Sequence, residues 1–189
     1  MIVPRYYEDL SILHEGTMPA RAYYIPASKR MDHLAEHREE SDRIQFLNGN
    51  WKFRFFQSIY DVQEPFYEPG YDTSDFGEIS VPGVWQMAGY DSHQYTNIRY
   101  PFPFDPPFVP QDNPCGAYVH TFDYVKDGQA PKAYLNFEGV DSCFYLWLNG
   151  TWIGYSQVSH ATSEFDVTSA LKEGENTIAV LVLKWCDGS

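Results

Sequence analysis

"SCFYLWLNGTWIGYSQ", residues 142–157, carries two apolar runs around Asn149-Gly150. That pair suits the positive φ angles of a two-residue type I′ turn, so the stretch reads as a β-hairpin. The same pattern extends outward in both directions. In "WKFRFF" (51–56), Trp51, Phe53 and Phe55 alternate with Lys52 and Arg54, the two-residue period of a half-buried strand. "AYVHTFDY" (117–124) and "KAYLNFEG" (132–139) repeat the theme on either side of the turn cluster "VKDGQAP". "SEFDVTSALKEGEN" (163–176) reads as a short strand followed by a helical turn, capped by Asp166 or Thr168 and stopped near Gly174. "TIAVLVLKW" (177–185) is an almost unbroken apolar run, as expected of a strand covered on both faces. Many short strands with regular turns and almost no helix predict an all-β jelly-roll β-sandwich, with Trp51, Trp147 and Trp152 at core positions.

Ahead of the strands, residues 1–45 are polar and irregular and read as an N-terminal arm that wraps or links, with at most a short helix from Ser28. Residues 46–189 then form the sandwich domain. A chain of 189 residues with 43% hydrophobic content is large enough to fold alone. Its formal charge of −13, with no Lys/Arg run, disfavours phosphate backbones and anionic lipid, so neither nucleic acid nor membrane is an expected partner. "MIVPRYYEDL" lacks a signal-peptide pattern, which makes a cytoplasmic location the expectation. Cys115, Cys143 and Cys186 are odd in number and widely spaced, so buried free thiols are expected rather than a disulfide framework. The chain stops at "KWCDGS", straight after its strongest central-strand candidate, and a cut domain boundary is one reading of that stop.

One loop resists the description. "YTNIRYPFPFDPPFVP" (95–110) mixes prolines with Tyr95, Tyr100, Phe102, Phe104 and Phe108, whereas disordered proline-rich linkers are depleted in aromatics. Something must hold this loop. No nucleotide-binding, zinc-protease or nucleophile-elbow motif occurs. His33 and His37 have the spacing of a metal pair without a third ligand nearby, which favours a solvated polar face. Glu138 and Asp141 in "EGVDS" are tempting carboxylates, yet a turn between strands explains them as well.

"LNGNWKF" (47–53), "VPGVWQMAGYD" (81–91), "YTNIRYPF" (95–102), "PPFVPQDNPCGAY" (106–118), "FEGVDSCFYLWLNGTWIGYSQ" (137–157), "SEFDVTSALKEGEN" and "LVLKWCDGS" (181–189) occur in one order. Together they resemble the N-terminal sugar-binding domain of glycoside hydrolase family 2 β-galactosidases. The resemblance implies a jelly roll at the head of a longer, homo-oligomeric enzyme, followed by an immunoglobulin-like domain and a (β/α)8 barrel. The two catalytic glutamates of its retaining mechanism lie on that barrel, outside these residues. It further implies that Asn97 projects into the galactose pocket, that Ile98 helps line it, and that the parent binds Na⁺. A structural Mg²⁺ is implied with Gln157, Asp187 and Asp9 as ligands; Tyr6 stands where the family pattern has a carboxylate. Gly83-Val84, Ala88 and Asp141 are further departures, and they put identical loop bonding in doubt. An autonomous carbohydrate-binding module and a purely structural assembly domain are the competing readings.

Overall fold

Cys143–Leu148 and Thr151–Gln157 pair antiparallel around Asn149 and Gly150, whose φ angles of 52° and 78° are those a type I′ turn demands. The computed structural model describes residues 1–95 and 99–189. In chain order its strands are β1 (His14–Glu15), β2 (Gly49–Phe56), β3 (Gly77–Val81), β4 (Cys115–Tyr124), β5 (Tyr134–Phe137), β6 (Cys143–Leu148), β7 (Thr151–Gln157), β8 (Ser163–Asp166) and β9 (Gly174–Leu183). The large sheet runs β1-β7-β6-β9-β4-β2-β3, and β5 pairs with β8 in a second, smaller sheet. Every pairing is antiparallel.

The large sheet is buried on both faces. Along β6, Cys143, Tyr145 and Trp147 enter one apolar cluster, while Phe144, Leu146 and Leu148 enter another. Strand β9 splits the same way, Ala179, Leu181 and Leu183 against Ile178, Val180 and Val182. That double cover explains unbroken apolar runs in an antiparallel sheet, where one wet face would have imposed alternation. Val3, Tyr7, Ile59, Val62 and Phe66 cover the first face; Phe165 of β8, Val167, Leu171 and Trp85 cover the second. The all-β sandwich predicted from the strand pattern is present. All three cysteines are buried free thiols.

The arm has two parts. Val3 and Tyr7 are buried, the hydroxyl of Tyr145 donates to Pro4 O at 2.7 Å, and β1 extends the sheet beside β7. Residues 18–45 add no member to either buried cluster and are fastened by polar contacts instead. Met18 N donates to Glu164 O at 2.7 Å, and three ion pairs follow: Arg21–Glu164, Arg38–Glu138 and Arg43–Asp127. No helix starts at Ser28, because its amide and hydroxyl both donate to the Asp42 carboxylate and close a loop instead. A single 3-10 turn, Arg38–Glu40, is the regular structure there.

Trp152 corrects one expectation. It is 38% exposed, not core, because the register shifts between Leu146 and Trp147 and sets Trp152 opposite Trp147 near the sheet edge. It packs edge-on to that ring at 5.5 Å, with only the two-residue β1 beyond its strand. Among the described residues no helix is long and apolar enough to cross a membrane.

Candidate functional site

The aromatic loop is held from both sides. After the undescribed residues, the Tyr100 hydroxyl donates to Ser189 O at 2.8 Å, and the Tyr100 ring meets Phe102 edge-on at 4.9 Å. Phe102 packs edge-on to Trp185 at 5.2 Å. Further along, Val109 is buried and its amide donates to Glu8 Oε1 at 3.3 Å. Prolines fix φ through this segment, so few such contacts suffice to order it. Phe104 and Phe108 remain 79% and 58% exposed. A pocket of about 50 Å³ opens here, lined in part by Tyr100, Phe102, Phe104, Pro107, Asp187 and Ser189. Asn97 and Ile98, the predicted sugar contacts, lie outside the described residues.

Two of the three expected cation ligands, Gln157 and Asp187, meet behind this pocket. Gln157 Nε2 donates to Asp187 Oδ1 and to Ile12 O, each at 3.0 Å, while Gln157 Oε1 accepts from Cys186 Sγ at 3.3 Å. Asp187 N donates to Tyr7 O at 2.9 Å, tying the turn to the arm. Burial pushes the Asp187 carboxyl up; the bond from Gln157 opposes this and the Asp9 charge adds to it. Asp9 accepts from the Ser11 amide and hydroxyl at 3.0 and 2.6 Å. The Ser11 bonds hold the Asp9 carboxyl below its ordinary value, and its charge still reaches Asp187. Two carboxylates and an amide oxygen are hard donors of the kind Mg²⁺ takes, although Gln157 turns its Nε2 toward Asp187 and its Oε1 toward Cys186. Among the described residues no group of three or more His, Cys, Asp or Glu side chains is placed to hold a metal. Tyr6 takes no part: its ring lies 5.5 Å from that of Tyr155 and 6.4 Å from that of Tyr145, as part of the packing.

The other candidates are structural. Glu138 is bound by Arg38 and by the Tyr23 hydroxyl, which makes it a fastening point for the arm. Asp141 accepts from Ser142 Oγ at 3.0 Å in its own turn and from Ser159 Oγ at 2.6 Å in the segment after β7. His37 N donates to His33 O in an isolated turn, and the His37 ring faces Glu39 at 3.3 Å. Sequence reading missed Asp91 and Lys184, a pair 2.6 Å apart at the root of the loop. Their separation of 93 residues left no local signal to find them.

The family described as "Glycosyl hydrolases family 2, sugar binding domain" matches residues 44–189. Among full-length relatives, a β-galactosidase of Actinobacillus pleuropneumoniae is 47% identical over 189 residues, all of this chain and 18% of its own length. A β-galactosidase of Staphylococcus xylosus is 44% identical, with 100% of this chain and 19% of that protein aligned. The chain thus spans about a fifth of the length of these relatives. Among solved structures, a Bifidobacterium dentium β-glucuronidase superimposes with a TM-score of 0.53 at 23% identity, covering 72% of this chain and 19% of that one. At that identity the likeness speaks for the fold alone. With its sandwich, its held aromatic loop and a family match over more than three quarters of its length, this chain belongs to the sugar-binding domains of glycosyl hydrolase family 2.

Proposed function

We propose that this chain is the non-catalytic, N-terminal sugar-binding domain of a β-galactosidase, and that it supplies one wall of the galactose site while the barrel of the same longer protein supplies the catalytic carboxylates. The observation that carries this reading is identity of 44–47% to β-galactosidases over the whole chain, well beyond what a shared fold requires. Asn97 is the sugar contact and Ile98 the apolar lining. A neutral amide donates and accepts hydrogen bonds to a sugar without the desolvation cost of a charge. The loop's prolines and the Tyr100 and Phe102 contacts restrict it before substrate arrives, which lowers the entropy lost on binding.

Gln157, Asp187 and Asp9 would hold a structural Mg²⁺, which would supply positive charge beside the Asp187 carboxylate, whose ionisation burial and the Asp9 charge oppose. The residues' own part is to join the arm, the end of the hairpin and the turn after β9 at one point. The buried free thiols support a cytoplasmic location. The full-length enzyme is a homo-oligomer that binds Na⁺ and acts on terminal β-D-galactosides such as lactose.

The test compares the isolated 189-residue chain with the full-length protein. The expected outcome is turnover of a chromogenic β-galactoside by the full-length protein alone, with no saturable backbone NMR shifts when the isolated chain is titrated with galactose. Turnover by the isolated chain would overturn the proposal. Saturable shifts centred on Asn97 and Ile98 would replace it with an autonomous sugar-binding module.

A further inference from the structure

The turn that follows β9 grips the aromatic loop on both sides of residues 96–98. Upstream, Lys184 Nζ meets Asp91 Oδ2 at 2.6 Å, with the two side chains only 11% and 15% exposed. An ion pair so shielded from water tolerates little misplacement, because a partner that moves away leaves an uncompensated charge. Downstream, Tyr100 reaches Ser189 O, and Phe102 reaches the ring of Trp185.

The gripping residues are themselves fixed. Lys184 N donates to Pro114 O at 2.9 Å, and Lys184 O accepts from Ser142 Oγ at 2.7 Å. Trp185 is bound through both backbone groups by the buried side chain of Asn113: its amide donates to Oδ1 at 3.0 Å and its carbonyl accepts from Nδ2 at 2.8 Å. Residues 184–189 are therefore tied to the roots of β4 and β6, and they carry that rigidity to the loop at positions 91, 100 and 102.

We propose that Lys184, Asp91 and Tyr100 are positioning residues for galactoside recognition, which fix the two flanks of the Asn97 segment and act on the sugar only through it. The inference rests on the function proposed above, and it adds residues whose side chains pair with each other or with the turn after β9. Small displacements of a positioning group are costly: a misplacement of about 1 Å can reduce rate by about 100-fold.

The experiment is a double-mutant cycle in the full-length protein with o-nitrophenyl β-D-galactoside. Lys184→Met is expected to lower kcat/KM about tenfold, mainly by raising KM. Lys184→Arg, which keeps the charge and reach, should restore it to within about twofold. In an Asn97→Ala background, Lys184→Met should change kcat/KM by less than about twofold, since residues acting through one group are not additive. A full additional loss in that background, or no loss in either, would overturn the clamp while leaving the role of Asn97 intact. If Asn97→Ala alone is silent, the proposed function fails first, and the clamp with it. Should Lys184→Met fail to fold, Tyr100→Phe at a 43%-exposed site carries the same cycle, with an expected loss of about threefold.

Discussion

Asn149 shows how much one side chain can specify. It sits at φ 52°, its amide donates to Thr177 O at 2.8 Å, and its Oδ1 accepts from Thr177 N at 3.0 Å. Its Nδ2 reaches both Ala170 O and Asn176 Oδ1, so the hairpin turn also ties down the turn before β9. Gly150 beside it has φ +78°, and a Cβ there would stand 2.6 Å from Pro69 Cδ. Gly150→Ala is expected to cost about 1–3 kcal/mol in urea unfolding, from strain and contact together. At Asp91, burial raises the carboxyl, but the bonds from Lys184 and the Ser92 amide outweigh it and hold the group below its ordinary value. A carboxylate held low in the folded chain stabilises above its unfolded value, and that contribution is lost as pH falls through the lower folded value. The stability gap between the chain and Asp91→Asn should thus be flat above about pH 5 and shrink below about pH 4. A gap that widens on acidification would contradict the assignment. The turn was legible in the sequence because Asn-Gly chemistry is local; the Asp91–Lys184 pair was not, because only the fold brings the two together.

Strands β6 and β9 were readable for a related reason. A run buried on both faces cannot alternate: the unbroken apolar run of β9 announced a central strand, which the sheet order bears out, while β6 was legible as one arm of the Asn-Gly hairpin. Strands β1 and β3 escaped notice: one has two residues, and the other, "GEISV", buries only Ile79. Both are edge strands, where partner and solvent rather than side-chain pattern decide the structure. Trp152 was misplaced because a register shift cannot be read from alternation. The central strands carry the stability. Leu181 of β9 is fully buried between β4 and β6, so Leu181→Ala should cost about 2–5 kcal/mol by urea midpoint, with the slope unchanged. A loss below about 1 kcal/mol would mean that the site collapses freely and that the packing account is wrong.

Over the whole molecule, two kinds of attachment coexist. The sandwich and residues 1–15 share an apolar core, whereas residues 18–45 lie on it through partly exposed Arg–carboxylate pairs. Salt screens the second kind and not the first. Raising ionic strength from about 0.02 to about 0.5 M should therefore speed backbone amide exchange in 18–45 several-fold and leave β6 and β9 unchanged. Equal change in both would show that the arm and the sandwich open as one unit. The same division explains what sequence could tell of function. Composition disfavoured some partners and ordered motifs pointed to a family, but the role proposed here, one wall of a site completed elsewhere, would leave no chemistry of its own to read.

The most direct measurement of the central claim is kcat/KM for a β-galactoside with the full-length protein carrying Asn97→Ala. If this domain contributes a sugar contact, losing one or two hydrogen bonds should cost about 1–3 kcal/mol, a fall of roughly 5- to 150-fold. An unchanged kcat/KM would contradict the claim and leave the domain a purely structural part of its enzyme.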